Sequence, residues 1–284
     1  MNKLSSNSAL VWLNVIFLLA SSTAFANPWE RVNSPFNGDA AAVGSYANGC
    51  LAGGEALPLS GVGFQVIRTE RQRYFGHPQL ISFISDYSHK LQQYQQSNVL
   101  IADMSMPRGG NFSHGHSSHQ IGLDVDIWLK LTEQPLTVKQ RAQPEPIDIV
   151  NTKQFSLDSK QWQAQHTRML QLAAEDSRVA RIFVSPVIKQ HLCDMKLSDD
   201  AWLNKVRPWW GHTYHMHVRL KCPKNDTSCI NQAAIPKGNG CGELSWWKQQ
   251  YTQPKEQPKS KPNNKPAKKR EKTKPKRCQQ ILSS

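Results

Sequence analysis

The residues best suited to chemistry lie in two short stretches that are far apart in the chain. The first stretch, residues 111–128, contains three histidines and two aspartates: His114, His116, His119, Asp124 and Asp126. Apolar residues alternate with the two aspartates over residues 123–127, which predicts a β-strand with both carboxylates on one face. Because an unpaired buried charge costs on the order of several kcal/mol, two neighbouring carboxylates need a cation or strong hydrogen-bond donors, and a metal is the simplest cation. We therefore expect a metal ion here.

The second stretch, residues 209–220, carries two histidines with the spacing of a strand. His215 and His217 are two residues apart, so they share a face and are separated by about 6.6 Å along the chain. Zn²⁺ in a hydrolase usually has three protein ligands and one open position for water, whose pKa falls to about 7. The two stretches can supply these ligands and leave a histidine to act on the water.

The sequence around these residues resembles the penicillin-insensitive murein endopeptidases. These enzymes belong to a wider group of zinc peptidases that also includes lysostaphin-type endopeptidases and D-alanyl-D-alanine carboxypeptidases. The similar strings are Ser-Ser-His-Gln-Ile-Gly-Leu-Asp-Val-Asp at 117–126, Arg-Tyr-Phe-Gly-His-Pro at 73–78 and Lys-Val-Arg-Pro-Trp at 205–209. The resemblance covers roughly residues 28–278, and such strings are far more specific than a lone His-x-His.

The resemblance implies which residues hold the zinc ion. The implied ligands are His119, Asp126 and His217, with a further contact from His116, whereas Asp124 lies outside the ligand set. In a loop rich in Ser and Gly, His114 and His116 have the alternative role of ordinary polar loop residues. Residues 148–155 lack the additional acid and histidine that bind a further metal in some relatives, so we expect one zinc ion.

Two histidines are candidates for proton transfer. A histidine with a pKa near neutrality can take a proton from zinc-bound water and deliver it to the leaving amine. We interpret His215 as this base and His212 as its companion, which stabilises the oxyanion or relays the proton. The alternative is that both are core or surface histidines.

The resemblance also implies a substrate, the D-alanyl to meso-diaminopimelyl cross-link of peptidoglycan. A zinc enzyme without a Ser or Cys nucleophile forms no acyl-enzyme, so penicillin should not trap it. Two other functions remain open: a D,D-carboxypeptidase of the same zinc type, and a nonenzymatic periplasmic metal-binding protein. Aromatic residues beside a strand are more often core, but four could line a substrate groove: Trp128, Trp209, Trp210 and Tyr214.

Hydrophobic periodicity predicts the elements that position these residues. Helices are expected from His77-Pro78 to about Gln96, over 162–174, over 186–193, and from an N-cap at Ser198 to a point before Pro208. Strands are expected over 99–102 and 181–184. The predicted elements lack the regular strand–helix alternation of a parallel, doubly wound sheet. We therefore predict an α+β fold in which a small antiparallel β-sheet carries the ligands and helices pack to one side.

The two ends of the sequence differ from its centre. Residues 1–26 have the Lys3, apolar run and Ala-Phe-Ala of a cleaved signal peptide, which predicts a periplasmic protein without a stable membrane anchor. The net charge is +14, but residues 252–277 hold 11 Lys or Arg against two Glu, so most of the charge lies in a Pro- and Lys-rich segment. No nucleic-acid-binding motif accompanies it, and we expect no nucleic-acid partner. The predicted parts are therefore a signal peptide, a zinc peptidase domain (27–251) and a basic tail (252–284).

Six cysteines in an exported chain predict disulfides. Cys222 and Cys229 flank a run of turn-forming residues, which favours a local bridge. Cys278 follows the basic segment, and we expect it to tie the tail back to the domain. The family resemblance implies the pairs Cys50–Cys278 and Cys193–Cys241.

Overall fold

The computed structural model describes residues 27–253 and 272–284, so the predicted signal peptide and most of the basic segment lie outside the described residues. The strands of the described chain are β1 (Ala41–Ser45), β2 (Asn48–Ala52), β3 (Glu55–Ala56), β4 (Ser60–Gly61), β5 (Phe64–Val66), β6 (Phe75–Gly76), β7 (Asn98–Ile101), β8 (Asp124–Thr132), β9 (Val150–Asn151), β10 (Ser156–Leu157), β11 (Val179–Val184), β12 (Val206–Pro208) and β13 (His215–Leu220). Its α-helices are α1 (Pro78–Gln95), α2 (Val138–Ala142), α3 (Ala164–Glu175), α4 (Pro186–Asp194), α5 (Leu244–Thr252) and α6 (Lys276–Ser283). Among these described helices, none has the length and apolar character that crossing a membrane requires.

Seven strands form one mixed sheet in the order β12-β11-β13-β8-β7-β5-β4. Its centre, from β11 through β13 and β8 to β7, is antiparallel. The pairs β11–β12 and β5–β7 are parallel. A parallel pair needs a crossover connection, and the chain supplies α4 for the first pair and α1 for the second. The α+β class is confirmed, and the two strands with the ligand candidates, β8 and β13, are antiparallel as predicted. The whole sheet is larger than predicted and mixed, because these two crossovers add parallel strands.

The two central strands give the sheet one apolar face and one polar face. In the register of β8 and β13, Asp126 pairs with His217 and Trp128 pairs with His215. Because side chains alternate along a strand, this register brings carboxylate and imidazole groups together on one face. The intervening residues belong to the main hydrophobic core: Leu123, Val125, Ile127, Leu129, Met216, Val218 and Leu220. One alternating pattern therefore builds both the core and the ligand face.

Helices α1, α3 and α4 pack on the apolar face, since their buried residues join the same core. Helix α1 begins where the sequence predicts, with His77 as its N-cap and Pro78 in its first turn. The His77 Nδ1 atom accepts a hydrogen bond from the Gln79 N–H at 3.1 Å. The observed bounds of α1, α3 and α4 lie within two residues of the predicted ones.

The fourth predicted helix is wrong in type and in start. It is a five-residue 3-10 helix, Ala201–Lys205, with Asp200 rather than Ser198 at the N-cap position. Asp199 Oδ1 accepts a hydrogen bond from the Ala201 N–H at 3.2 Å, which replaces the expected serine cap. Strand β12 then begins at once at Val206.

A smaller hydrophobic cluster joins the two ends of the described chain. We call it the terminal cluster; its members are Trp29, Ala41, Val43, Cys50, Ala52, Met106, Phe112, Cys278 and Ile281. The three disulfides of the protein are Cys50–Cys278, Cys193–Cys241 and Cys222–Cys229, the same pairs that the sequence analysis gives. Arg108 donates a hydrogen bond to the Ile281 carbonyl at 2.8 Å. Helix α6 is therefore fixed beside the loop that leads to the candidate ligands.

Candidate metal centre

Four side chains from the two sequence stretches converge on the polar face of the sheet. Each of them offers a nitrogen or oxygen atom, and these atoms all lie within 4.8 Å of one another: His116, His119, Asp126 and His217. Carboxylate oxygens of Asp126 lie 3.1 Å from His116 Nε2, 3.4 Å from His119 Nε2 and 3.2 Å from His217 Nδ1. Ligands on a tetrahedral ion with bonds of about 2.1 Å are roughly 3.4 Å apart. The cluster therefore has the dimensions of a metal centre.

Strands β8 and β13 fix the positions of Asp126 and His217. The backbone N–H of Asp126 donates to the Asp103 carbonyl at 3.0 Å, and its carbonyl accepts from the Ala102 N–H at 2.9 Å. On the other side, His217 also pairs with Phe183 of β11. Both side chains are buried. These two ligand candidates therefore have neighbours on each side in the sheet.

His116 and His119 lie in the loop of residues 111–122, which we call the ligand loop; it has no helix or strand. His119 has a φ of 67°, a left-handed conformation that histidine adopts more readily than most residues with a side chain. In this conformation its backbone N–H donates to Asp124 Oδ2 at 3.0 Å. Near the other end of the loop, the Glu30 carboxylate accepts hydrogen bonds from the Ser113 N–H at 2.9 Å and the Ser113 hydroxyl at 2.5 Å.

Asp124 supports the ligand candidates from behind. It is completely buried, and Arg219 donates to it through Nε at 2.8 Å and an Nη atom at 3.1 Å. Its Oδ1 atom lies 3.2 Å from His217 Nε2, whereas His217 Nδ1 faces Asp126. A carboxylate on the far nitrogen of a histidine ligand sets the orientation of the ring. Asp124 therefore lies behind His217 and outside the four-residue cluster.

Buried polar atoms without hydrogen bonds test whether this cluster fits a metal ion. Such atoms include both ring nitrogens of His119, both ring nitrogens of His215 and Oδ1 of Asp126. Leaving a buried polar atom unpaired costs about 1–3 kcal/mol, and more when it is charged. His119 Nε2 and Asp126 Oδ1 approach each other without hydrogen-bond alignment, so an ion between them would satisfy both. The residues present therefore fit a bound metal.

The electrostatics of the cluster also favour a cation. Burial lowers the pKa of His116 to about 4 and also lowers the pKa of His215, so both rings are neutral near pH 7. Burial opposes charge on His217, but Asp124 and Asp126 outweigh it and raise the pKa of His217 to about 9. Burial also opposes charge on Asp126, yet the surrounding histidines hold its pKa well below the usual value. Without a metal, a proton on His217 balances the carboxylates; a metal would take the place of that proton.

The two predicted proton-transfer histidines lie beside the cluster. The ring centroids of His212 and His215 are 4.8 Å apart, and His215 Nε2 lies 3.8 Å from Asp126 Oδ2. His212 Nδ1 donates to the Trp210 carbonyl at 2.8 Å, so its Nε2 atom is the acceptor of the neutral ring. Burial lowers the pKa of His212 to about 3. His212 is therefore neutral, with Nε2 as its one acceptor atom and no second N–H to offer to an oxyanion.

The cluster opens into a cleft of about 590 Å³. Its walls include His116, His212, His215, His217, Trp209, Trp210 and Tyr214. Trp128 is the exception among the four aromatic candidates, because it is buried and packs edge-on against Tyr214 at a centroid distance of 5.6 Å. The cleft thus joins the metal candidates, both proton-transfer candidates and exposed aromatic rings.

Sequence reasoning overlooked several supporting residues. Asp103 is buried, pairs with Arg73 at 3.1 Å and lies 3.6 Å from His116 Nε2. Its position directly after an apolar strand was a usable signal. Glu30 and its partner Ser113 are 83 residues apart, and Arg219 and its partner Asp124 are 95 residues apart. No local sequence pattern pairs residues over such separations. The structure leaves His114 exposed and outside the cluster.

The site combines a cluster of imidazole and carboxylate groups with separate proton acceptors, and both face the same cleft. Metal-dependent hydrolases have this arrangement. The comparison with protein families gives a more specific assignment. Residues 42–283 match the model described as penicillin-insensitive murein endopeptidase, and this chain belongs to that family of peptidases.

Individual relatives agree with the family assignment. A penicillin-insensitive murein endopeptidase of Klebsiella pneumoniae (strain 342) is 48% identical over 235 residues, which cover 82% of this chain and 86% of the relative. A protein of the same name from Yersinia enterocolitica is 46% identical, and the match covers 84% of this chain and 88% of the relative. Another, from Pectobacterium atrosepticum, is also 46% identical, and the match covers 82% of this chain and 83% of the relative.

Proposed function

We propose that this chain is a zinc-dependent murein endopeptidase that cleaves D-alanyl to meso-diaminopimelyl cross-links of peptidoglycan. The convergence of three histidines and Asp126 at an open cleft carries the proposal. Imidazole and carboxylate donors suit Zn²⁺. The names of the relatives supply the substrate, murein. The predicted signal peptide, residues 1–26, supports action in the periplasm, where that substrate lies.

In this proposal, the ion is held by His119, Asp126 and His217, with His116 as the fourth contact. Bound Zn²⁺ would act as a Lewis acid and lower the pKa of a coordinated water. Asp124 keeps the His217 ring in place and neutralises Arg219. All six cysteines are in disulfides, so the chain has no thiol that could form an acyl-enzyme.

His215 is the proposed general base. Its lowered pKa keeps the ring neutral and able to accept the proton of the attacking water, and it later gives that proton to the leaving amine. His212 contributes as a proton relay, since its Nδ1 atom is fixed on the Trp210 carbonyl and its acceptor nitrogen is the one left for exchange. Of the two roles predicted for His212, this geometry favours the relay over oxyanion stabilisation.

Purified cross-linked muropeptide dimers test the proposal, in parallel reactions with and without EDTA. We expect release of monomers, loss of that release in EDTA and recovery after addition of zinc, because the attacking water needs the ion near neutral pH. Penicillin at high concentration should leave the rate unchanged.

The other outcomes identify the alternatives. Release of free D-alanine alone would indicate a D,D-carboxypeptidase, and no change in the dimers would indicate a metal-binding protein. Full hydrolysis by protein that elemental analysis shows to be free of metal would overturn the mechanism.

A further inference from the structure

A group of aromatic rings extends from the cleft onto helix α5. We call it the aromatic platform and define it as Trp210, Trp246, Trp247 and Tyr251. Trp210 stacks on Tyr251 at a centroid distance of 5.1 Å and meets Trp247 edge-on at 5.1 Å. Trp246 continues the row from Trp247 at 4.9 Å. One end of the platform is therefore part of the cleft wall, and the other end lies outside it.

The platform exposes large apolar rings to solvent. Trp246 is 51% exposed and Trp210 is 43% exposed, and Trp209, also in the cleft wall, is 51% exposed. Single exposed apolar residues need no explanation, but Trp210 and Trp246 are joined through the buried Trp247 into one row beside the cleft, and such a row is typical of a binding surface. Tryptophan suits this purpose because it offers a flat, rigid ring.

Helix α5, which carries three of the four platform rings, is fixed to the domain by several contacts. Trp247 and Leu244 are buried, so α5 is anchored through its apolar side. Cys241 lies just before α5 and is bonded to Cys193 of α4. Arg207, at the end of the sheet, forms an ion pair with Glu243 at the start of α5. A surface that is already ordered binds a ligand at a lower entropic cost.

We propose that the aromatic platform binds the sugar rings of the glycan strand from which the cross-linked peptides hang. This inference rests on the proposed function, which places peptidoglycan in the adjoining cleft. The peptides of that polymer carry small or charged side chains, such as those of alanine and diaminopimelate, and these have no large apolar group to cover the rings. The sugar rings have C–H faces that stack on flat aromatic rings. The platform would therefore hold the glycan while the peptide occupies the cleft.

A binding experiment tests the glycan contact apart from catalysis. Oligomers of β-1,4-linked N-acetylglucosamine, which contain no peptide, are titrated into the mature protein while tryptophan fluorescence is followed. We expect saturable binding that is the same in EDTA, because the platform does not involve the metal candidates. Trp246→Ala should weaken it about three- to tenfold, the range for one aromatic contact, and Trp246→Tyr should recover most of it.

An activity experiment relates that contact to the reaction. The kcat/KM for cross-links in glycan-linked peptidoglycan is divided by the kcat/KM for glycan-free peptide dimers. We expect Trp246→Ala to lower this ratio about three- to tenfold through KM, since only the first substrate reaches the platform. Tyr94→Ala removes another exposed aromatic ring, on α1, and should leave both rates unchanged.

The outcomes separate this inference from the function on which it rests. Two results would refute glycan binding by the aromatic platform and leave the endopeptidase proposal standing. One is cleavage of dimers without oligosaccharide binding, and the other is an unchanged kcat/KM ratio in Trp246→Ala. Oligosaccharide binding without any cleavage would overturn the endopeptidase proposal and leave the sugar contact standing.

Discussion

Two of the ligand candidates lie on strands and two lie in the ligand loop, and the two pairs are held in position by different interactions. Asp126 and His217 are paired across β8 and β13, and the hydrogen-bond ladder of the sheet fixes both. His116 and His119 have no ladder. The ligand loop is held instead by individual side chains: Glu30, 83 residues before Ser113, at its start, and Asp124, five residues after His119, at its end.

The loop gains further support from the terminal cluster. Phe112 belongs to that cluster, and its ring stacks on His119 at a centroid distance of 5.9 Å. The guanidinium group of Arg73 lies over the Phe112 ring, with its central carbon 3.8 Å from the ring centroid. The Cys50–Cys278 bridge and helix α6 complete the cluster. The two ends of the described chain therefore stabilise one half of the site, whereas the sheet stabilises the other half.

The largest expected effects come from the strand residues themselves. His217→Ala removes a proposed ligand and should cause loss of zinc at ordinary concentrations, with His119→Ala as the equivalent change in the loop. His215→Ala should keep its zinc, yet its rate should fall by roughly 10² to 10⁴, the contribution of a general acid or base. Elemental analysis and turnover measurements on the three variants test this division of roles.

If His215→Ala loses as much zinc as His119→Ala, both strand histidines bind metal. The base would then have to be sought at His212, whose ring lies 4.8 Å from that of His215.

The next effect concerns Asp124, which connects the two regions. Asp124→Asn breaks a buried ion pair with Arg219 and weakens the acceptor for the His119 N–H, so we expect a loss of about 3–5 kcal/mol in the free energy of unfolding. Urea unfolding measures the loss. Asp86→Asn is the matched control: it removes a pair with Arg178 from a carboxylate that is 51% exposed, and it should cost less than about 1 kcal/mol. Equal losses in the two variants would contradict the supporting role of Asp124.

The same contrast explains what the sequence alone could predict. Local alternation predicts both strands that carry ligand candidates, since the period of a strand is a local property. It also predicts the common face of Asp124 and Asp126 and that of His215 and His217. Helix α1 was equally accessible from His77-Pro78 and its apolar stripe. The choice of His116 and His119 in the ligand loop came from resemblance, since no local period governs an irregular loop.

Features that depend on distant contacts were not predictable. The parallel pairs β5–β7 and β11–β12 depend on how α1 and α4 cross the sheet, and no pattern within these short strands indicates their direction. Ser198 has the residue type of a helix cap, but the Asp199 side chain accepts a hydrogen bond from the Ala201 N–H and the helical turn begins only at Ala201. Glu30 and Arg73 were not recognised as loop supports because their partners are fixed only by the folded chain.

The smallest effect should come from Glu30, which acts on the loop half of the site alone. Glu30→Gln weakens the acceptor of two hydrogen bonds from Ser113 and removes the charge facing Arg73 at 3.6 Å. The ligand loop should then hold His116 and His119 less firmly, and zinc affinity should fall about tenfold, the lower range for loss of a group that orients ligands. Competition with a chromogenic chelator measures this affinity, and excess zinc should restore most of the rate.

Glu133→Gln is the control for this change, since it alters an exposed glutamate just beyond the far end of β8. It should leave zinc affinity as it is. Because the Glu30 side chain is itself 30% exposed, its loss should change the free energy of unfolding far less than Asp124→Asn does. A Glu30→Gln variant that unfolds as easily as Asp124→Asn would mean that Glu30 stabilises the whole fold, and an unchanged zinc affinity would mean that the ligand loop is ordered without the N-terminal segment.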